Sequence, residues 1–318
     1  MGYDSPENDN AAAVEASLPV IDLTVVVVSD YEAGAKSWHD ELEMIAHLAA
    51  QENVRPFKVL IGESENNRDA QAPDALFATP LNVEIVYGPR EDSASLKDYA
   101  VAQVETEWVA VFEADAVPEP GWMAAITEAA ASKTDYSVFG GRTYYGEDSS
   151  WHRALNLLDR SFDDRGQNGP CGHISNNAAL YKTDMLKRHP YPKAATPFAS
   201  ARLRNKAIFD EGHRAYMVRD AKTRHAIGDL SFVWDVHRNT GFSDVAERSS
   251  FHALQIPLIL ASRVRNDIKK AAALGSDYLK IQDWPLWMAL LAFVRVPQTR
   301  GMIEALRKSS ELSGSAYR

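Results

Sequence analysis

The chain of 318 residues is poor in cysteine, in net positive charge and in long apolar runs, and each shortage excludes a class of protein. Its single cysteine, Cys171, excludes an internal disulfide and a thiolate zinc cage, and it fits a reducing compartment. The formal net charge of −10 argues against nucleic-acid binding, which relies on Lys and Arg to neutralise phosphates. The strongly apolar segments are all shorter than the roughly 20 residues that span a bilayer.

Two further absences concern the N-terminus and the phosphate-binding loops. Residues 1–19 are acidic, polar and rich in alanine, so they predict a disordered lead and not a signal peptide. The chain has neither Gly-x-Gly-x-x-Gly nor a Walker-type Gly-Lys-Ser/Thr. A nucleotide site would therefore have to use carboxylates and a metal in place of a glycine cradle. These features together predict a cytoplasmic protein.

Apolar runs alternate with amphipathic segments from residue 23 onward. The pattern predicts strands at 23–28, 57–61, 83–86 and 108–112, and helices at 40–51 and 96–104. Strands that alternate with amphipathic helices are typical of parallel βαβ units. The expected fold class is α/β, with a mostly parallel twisted sheet flanked by helices.

The most informative segment is residues 108–122, in which a charge-free strand leads directly into two carboxylates and a proline-rich turn. Glu113 and Asp115 are spaced i, i+2, so on extended chain they point the same way. They follow the carboxyl end of a strand, where open α/β sheets bind their ligands. Hard oxygen ligands of this kind suit Mg²⁺ or Mn²⁺ bridging a diphosphate, and two solvated turn residues are the ordinary alternative.

With Pro118, Pro120 and Trp122, this segment resembles the metal-binding motif of family-2 glycosyltransferases that have the GT-A fold. In that family a strand ends in Asp-Ala-Asp or a close variant, followed by Pro-x-Pro and an aromatic residue. Glu113 replaces the first Asp, and Asp115 keeps the second. The segment 88–100 is similar to the family helix that begins Gly-x-x-x-x-x-x-Ala-Arg-Asn-x-Gly. The resemblance extends over roughly residues 23–225.

The resemblance implies roles for particular side chains, each of which has an ordinary structural alternative when taken alone. It implies nucleotide contacts from Tyr31 against the base, Glu63 to a base N–H, Lys97 to a phosphate, and Glu113. The metal would be held by Asp115, with a further contact from His225. On the acceptor side it implies Trp122 and also Asn177, which lies in a segment similar to Gly-x-Asn-x-Ala-x-Arg-Arg.

One departure from the family concerns the base that deprotonates the acceptor hydroxyl. The family places an acidic pair eleven or twelve residues before a Gly-Tyr/His-Arg turn, and here that spacing lands on Ser200 and Ala201. Neither side chain accepts a proton at neutral pH. The catalytic residue is therefore unknown, and the weak candidates for a displaced base are Asp163, Asp164, Asp210 and Glu211.

The expected organisation is a disordered lead (1–19), a GT-A-like domain (20–230) and a helical C-terminal extension (231–318). Within the domain, 20–122 would be the nucleotide-binding half and 123–230 the acceptor half. In the extension, the apolar runs 256–261 and 284–296 have basic neighbours up to residue 308. The sequence allows two roles for 256–308. The segment could form a helix that lies at the inner face of a membrane, or a helix that packs in the core or in a homodimer interface.

The resemblance implies a metal-assisted, inverting glycosyltransferase of cell-envelope polysaccharide type. Its cofactor would be Mg²⁺ or Mn²⁺, its donor a nucleotide-diphospho-sugar with UDP favoured, and its acceptor a carbohydrate or a lipid-linked molecule. Two alternatives stay open. Ser200 and Ala201 favour a nucleotide-sugar-binding protein with weak or no catalysis. A nucleotidyltransferase is disfavoured by the lack of a glycine-rich loop after the first strand.

Overall fold

The structure is a computed structural model that describes residues 21–28, 37–54, 57–89, 93–162, 164–173, 175, 177–194, 196–226, 229–246, 248 and 251–307. The predicted lead of residues 1–19, Tyr31 and Asp163 lie outside the described residues. The other predicted site residues lie within them.

Nine strands and ten α-helices are present among the described residues. The strands are β1 (Leu23–Val28), β2 (Lys58–Ser64), β3 (Asn82–Gly88), β4 (Trp108–Glu113), β5 (Ala116–Pro118), β6 (Val138–Tyr144), β7 (Gly169–Cys171), β8 (Ala179–Lys182) and β9 (Ala215–His225). The helices are α1 (His39–Ala49), α2 (Ser93–Ala102), α3 (Trp122–Ser132), α4 (Ser150–Leu155), α5 (Thr183–Arg188), α6 (Pro197–Asp210), α7 (Leu230–Ala246), α8 (Ile256–Tyr278), α9 (Trp284–Phe293) and α10 (Arg295–Arg307). A π-helical turn, Asn156–Arg160, continues α4. The four predicted strands and two predicted helices are confirmed.

The strands form one sheet in the order β3-β2-β1-β4-β8-β6-β9-β5, and β7 pairs with β9. Strands β3, β2, β1 and β4 are mutually parallel, which confirms the predicted βαβ half. Beyond β4 the sheet is mixed: β8 is antiparallel to β4 and β6, whereas β6 and β9 are parallel. The short strand β5 runs antiparallel to β9 and carries the chain from the end of β4 to the end of β9.

Strands β1 and β4 are almost entirely apolar up to their carboxyl ends, as expected where both faces of a sheet are covered. Successive side chains alternate between faces, so Val25 and Val27 pack in the core formed with α1 and α3. Val26 and Val28 pack in the opposite core with α2, α5 and α6. A polar side chain in this part of the sheet can reach solvent only where a strand ends.

Helices α8 and α9 pack on α4 and its π-helical extension, whereas α10 packs chiefly on α7. Trp287, Leu274 and Leu158 share one apolar cluster, so Trp287 belongs to a core and is not available to a membrane surface. A buried ion pair ties α4 to the turn before α9, since Arg153 donates to Asp283 at 2.7 and 3.0 Å. Within the described part of the chain, none of the helices combines the length and the apolarity that crossing a membrane requires.

Helices α7 and α10 cross with their backbones in contact, and two glycines make this approach possible. A Cβ atom at Gly301 would lie 1.9 Å from the carbonyl oxygen of Arg238, and one at Gly241 would lie 2.0 Å from that of Gln298. Any other residue at either position would have to push the helices apart.

We therefore expect Gly301→Ala to lower the free energy of unfolding by about 1–3 kcal/mol or more, as overpacking of a fitted core does. The measurement is urea denaturation followed by circular dichroism. Gly140→Ala is the matched control, because a Cβ atom there has no neighbour within 4 Å. Equal midpoints for the two variants would contradict the close approach of α7 and α10.

Candidate active site

A cluster of two carboxylates and one imidazole lies at the carboxyl edge of the sheet. Glu113 is the last residue of β4, Asp115 follows two residues later, and His225 is the last residue of β9. The pairing of β5 with β9 sets Ala116 opposite His225, which brings these distant parts of the chain together. One ligand atom from each of the three side chains lies within 4.8 Å of the other two.

Lys97 of α2 reaches this cluster and forms an ion pair with Glu113. Its ammonium lies 2.5 Å from Glu113 Oε1, and the Lys97 side chain is only 4% exposed. Opposite charges attract each other more strongly at a site shielded from water than in bulk solvent. The structure thus places Lys97 next to the predicted metal site, where its ammonium donates a hydrogen bond to Glu113.

Asp115 is a carboxylate with an incomplete hydrogen-bond shell. Its Oδ1 is buried and has no hydrogen-bond partner among the described residues. Burial and, to a smaller extent, the negative charge of Glu113 raise the pKa of Asp115 to about 7, although Arg160 and Lys97 oppose the shift. An unsatisfied buried carboxylate is costly, so its position favours a bound cation.

His225 is set up as a neutral ligand. Burial lowers its pKa to about 3, and the positive charge of Arg160 acts in the same direction. The Nδ1 atom lies 2.9 Å from the carbonyl oxygen of Ala226 and 3.6 Å from Asp115 Oδ2. When Nδ1–H donates to that carbonyl, Nε2 keeps its lone pair, which is the usual arrangement of an imidazole ligand. The donor set of Glu113, Asp115 and His225 therefore fits a divalent cation.

The structure adds two residues that the sequence did not indicate. Arg160 ends the π-helical turn, with its guanidinium 4.3 Å from the ring centre of Tyr145. The Tyr145 ring in turn meets His225 edge to face at 6.0 Å. Arg160 Nε is buried and has no hydrogen-bond partner among the described residues. An arginine beside an acid cluster offers charge and donors to an anion such as a diphosphate.

Glu63 lies at the same edge of the sheet, near the end of β2. Its side chain is fully buried, and Oε1 accepts from the Ser64 backbone N–H at 2.6 Å and from Asn67 Nδ2 at 2.9 Å. These bonds fix the orientation of the carboxylate. Both hydrogen bonds are accepted by Oε1, so one of the two carboxylate oxygens is engaged within the protein.

The two predicted acceptor-side residues have different surroundings. Trp122 has no exposed surface and packs edge to face on Phe112 at 4.8 Å, so it supports the end of β4 and does not face solvent. Asn177 is half-buried, and its backbone N–H donates to Ser175 Oγ. The next residue, Ala178, has a φ of 56° and so adopts the left-handed backbone conformation.

The described candidates for a displaced base all have other partners. Asp164 has no exposed side-chain surface and accepts from Arg219 at 3.1 Å and from the Tyr278 hydroxyl at 2.7 Å. Asp210 pairs with Lys206 on an exposed face of α6. Glu211 contacts His189 and His213 beside the first residue of β9, at the end of that strand remote from His225.

Ser200 and Ala201 lie in the first turns of α6. The Ser200 hydroxyl donates to the carbonyl oxygen of Pro192 at 2.6 Å and is largely buried. No carboxylate replaces them at this point of the helix.

A cavity of ≈ 430 Å³ opens beside His225. Its wall includes a second carboxylate–imidazole pair, Asp148 and His152, whose Oδ1 and Nδ1 atoms are 2.5 Å apart. The contact with His152 lowers the pKa of Asp148. The remaining lining residues are Glu119, Tyr144, Tyr145, Gly146, Glu147, Lys222, Arg224 and Ala226.

Comparison with known proteins adds a family and a fold. Residues 39–189 match the family model described as Glycosyl transferase family 2. The chain is similar to the mannosyltransferase PcManGT from Pyrobaculum calidifontis in complex with GDP-Man and Mn²⁺, with 14% identity, 93% of this chain and 92% of that chain covered, and a TM-score of 0.54. It is also similar to S. aureus TarS 1-349, with 15% identity, 89% and 91% of the two chains covered, and a TM-score of 0.47. No curated protein matches the chain.

The raised pKa of Asp115 predicts a stability that falls with rising pH. The ordinary pKa of this carboxyl group is 3.8, and its pKa in the folded chain is about 7. At pH values between these two, the folded chain holds a proton on Asp115 that the unfolded chain has lost. Folding is therefore disfavoured progressively across this window. We expect Asp115→Asn, which cannot ionise, to be more stable than the unmodified chain at pH 8 by about 2–4 kcal/mol, and to lose this advantage near pH 4.

The measurement is urea denaturation at a series of pH values in excess chelator. Asp220→Asn is the control, because Asp220 is exposed on the strand that carries His225. Parallel pH profiles for Asp115→Asn and the unmodified chain would show that Asp115 is not desolvated.

The parallel half of the sheet, the acid cluster where β4 ends, the similarity in fold to a known mannosyltransferase and the family match agree with one another. Residues 39–189 are similar to glycosyl transferase family 2, and the chain has an α/β fold of the GT-A type.

Proposed function

We propose that the chain transfers a sugar from a nucleotide-diphospho-sugar to an acceptor hydroxyl, with inversion at the anomeric carbon. The observation that carries this proposal is the convergence of Glu113, Asp115 and His225 around a buried carboxylate oxygen that has no hydrogen-bond partner among the described residues. Mg²⁺ or Mn²⁺ held by these three side chains would neutralise charge on the leaving diphosphate. UDP is favoured by the family resemblance, whereas the similar mannosyltransferase was solved with GDP-Man and Mn²⁺.

The cationic side chains of the site divide between two tasks. Lys97 forms an ion pair with Glu113, which directs its ammonium to that carboxylate. Arg160 stacks on Tyr145 and has a buried guanidinium nitrogen without a hydrogen-bond partner in the described part of the chain. We therefore assign the diphosphate contact chiefly to Arg160. Glu63, fixed by Ser64 and Asn67, keeps the proposed role of contacting the nucleotide.

The transfer needs a group that accepts the proton of the acceptor hydroxyl. As the hydroxyl oxygen forms a bond to the anomeric carbon, the bond from that carbon to the diphosphate breaks, and the diphosphate leaves with the electron pair. We propose that the proton goes to the pair of Asp148 and His152 on the cavity wall. With its Nδ1–H held by Asp148, His152 presents Nε2 as the proton acceptor. Asp164 is less suited, because its carboxylate has no exposed surface and accepts from Arg219 and Tyr278.

One alternative has an observation in its favour. Ser200 and Ala201 stand where the family carries its acidic pair, and Ser200 is engaged with the carbonyl oxygen of Pro192. A chain with the same fold that binds a nucleotide sugar without efficient transfer would have this feature. Turnover measurements on donors that bind distinguish the two functions.

The C-terminal region keeps two open roles. Apolar side chains such as Leu258, Ile281 and Met288 are 63% to 87% exposed, which suits peripheral contact of 256–308 with a membrane or the interface of a homodimer. Trp287 takes part in neither role, because it is 3% exposed in the core shared with α4.

The proposed metal site predicts that binding of a nucleoside diphosphate depends on a divalent cation. We expect UDP or GDP to bind in the presence of Mn²⁺ at least about tenfold more tightly than in excess chelator, and Asp115→Ala to abolish that difference. Titration calorimetry with and without Mn²⁺ measures it, with Asp220→Ala as the exposed control. Equal affinity of the unmodified chain in Mn²⁺ and in chelator would refute metal-assisted binding.

The proposed base predicts a rate effect that is separate from donor binding. Loss of a general base typically costs about a hundred- to ten-thousandfold in rate, so His152→Gln and Asp148→Asn should slow donor turnover by a large factor while the donor dissociation constant stays unchanged. Release of nucleoside diphosphate from UDP-glucose, UDP-GlcNAc and GDP-mannose provides the rate. Asp210→Asn is the control, since Asp210 pairs with Lys206 on an exposed face of α6.

The outcomes of this experiment separate the two functions. Full activity in both cavity variants would reject the assignment of the base to Asp148 and His152. No release by the unmodified chain from any donor that binds would favour the binding protein.

A further inference from the structure

A second cluster of metal-ligating side chains lies where α6 turns into β9. His189 directly follows α5, and Glu211 and His213 flank Gly212 in the turn. The Nε2 atom of His189 is 2.5 Å from Glu211 Oε2, and that of His213 is 3.2 Å from the same oxygen. One ligand atom from each of the three residues lies within 4.8 Å of the other two.

The cluster is remote from the candidate active site. His213 lies two residues before β9 and His225 is the last residue of that strand. Ala215 and Arg224 of β9 pair with Val138 and Tyr144, which are six residues apart on β6. Because a strand rises about 3.3 Å per residue, the two histidines are separated by roughly 20 Å or more. Nothing in the proposed transfer reaction uses these side chains.

The backbone that carries two of the three side chains is fixed. The N–H groups of Glu211 and Gly212 donate to Ala207 and Phe209 of α6, both at 3.0–3.1 Å. Gly212 has a φ of 91°, a conformation that glycine adopts without strain. The turn therefore holds Glu211 and His213 in place without help from a ligand.

The surroundings of His213 favour a metal-binding tautomer. Its Nδ1 atom lies 3.2 Å from the hydroxyl oxygen of Ser137. When Nδ1–H donates to that oxygen, the lone pair of Nε2 is directed toward Glu211. Ligating histidines commonly fix their second nitrogen in this way.

The donor set decides the class of cation. Two imidazoles and one carboxylate form the protein ligands of many zinc sites, whereas Mg²⁺ prefers oxygen ligands and water. Bonds of about 2.0–2.2 Å in tetrahedral geometry put neighbouring ligand atoms about 3.3–3.5 Å apart. The distance of 3.2 Å between His213 Nε2 and Glu211 Oε2 is close to this spacing. The distance of 2.5 Å between His189 Nε2 and the same oxygen would have to increase by about 1 Å.

We propose that His189, Glu211 and His213 form a second metal site, for Zn²⁺ or a similar divalent transition metal. The site differs in chemistry from the acid-rich cluster of Glu113, Asp115 and His225. Arg188 lies 3.9 Å from Glu211 Oε2, and its positive charge reduces the affinity without occupying a ligand position. A bound ion joins the end of α5 to the turn between α6 and β9, so it stabilises the folded chain by mass action.

The test uses the full chain freed of metal with a chelator that is then removed. Zn²⁺ is titrated by calorimetry, and Co²⁺ serves as a spectroscopic probe because tetrahedral Co²⁺ absorbs visible light strongly. An Asp115→Asn background weakens the other cluster. We expect about one Zn²⁺ per chain in that background, with affinity reduced at least about tenfold by His189→Gln and by His213→Gln.

His47→Gln is the matched control, because His47 lies 4.0 Å from Glu43 in a histidine–carboxylate pair that has no third ligand among the described residues. His213→Cys tests the role of the side chain as a ligand, since a thiolate also binds Zn²⁺ and should keep the affinity that His213→Gln loses. Circular dichroism verifies that each variant is folded.

Three results would overturn the proposal. They are no Zn²⁺ binding by the unmodified chain, unchanged binding in both glutamine variants, and loss of the site in Asp115→Asn alone. Each is independent of sugar transfer, because the readout is metal binding and not activity.

Discussion

The structure of the candidate active site depends on the removal of one Asp115 carboxylate oxygen, Oδ1, from water. Strand β4 is covered on both faces, so its carboxyl end is the first point at which acidic side chains can lie at an open edge of the sheet. Glu113 is balanced there by Lys97, whereas Asp115 is left with a buried oxygen that has no hydrogen-bond partner among the described residues. The free energy lost by holding a carboxylate in this position is recovered if a cation binds. The same burial keeps His225 neutral and suited to be a ligand.

The C-terminal helices contribute to this site through α4. Helices α8 and α9 pack on α4 and its π-helical turn, and the buried pair of Arg153 and Asp283 fixes one end of that contact. The π-helical turn ends at Arg160, which stacks on Tyr145 next to His225. Packing remote from the sheet therefore determines where a positive charge lies in the site. A substitution in the interface between α4 and α9 would act on the site by moving Arg160, without touching a ligand of the metal.

Two clusters with similar residue types have different physical character because their surroundings differ. Glu113, Asp115 and His225 are mostly buried and lie beside a lysine and an arginine, which under the proposed function suits a cation shared with an anionic substrate. His189, Glu211 and His213 lie at the protein surface on a turn fixed by α6, with two nitrogens directed at one oxygen. The first arrangement favours a cation shared with a substrate. The second favours an ion bound by the protein for its own stability.

The sequence by itself determined the parallel half of the sheet and the chemistry at the end of β4. The run Val25–Val28 is uncharged on both faces, so it could only be a buried strand, and Glu113 and Asp115 follow an equally apolar strand. These patterns involve residues that are close together along the chain, so they can be recognised from the sequence alone. Tertiary structure alone decided that His225 of β9 lies opposite Ala116 of β5 and so next to Asp115. It also decided that Arg160 lies beside the site and that Trp122 lies in the core. It also decided that His189 meets His213, because contacts between residues distant along the chain depend on packing that no sequence period encodes.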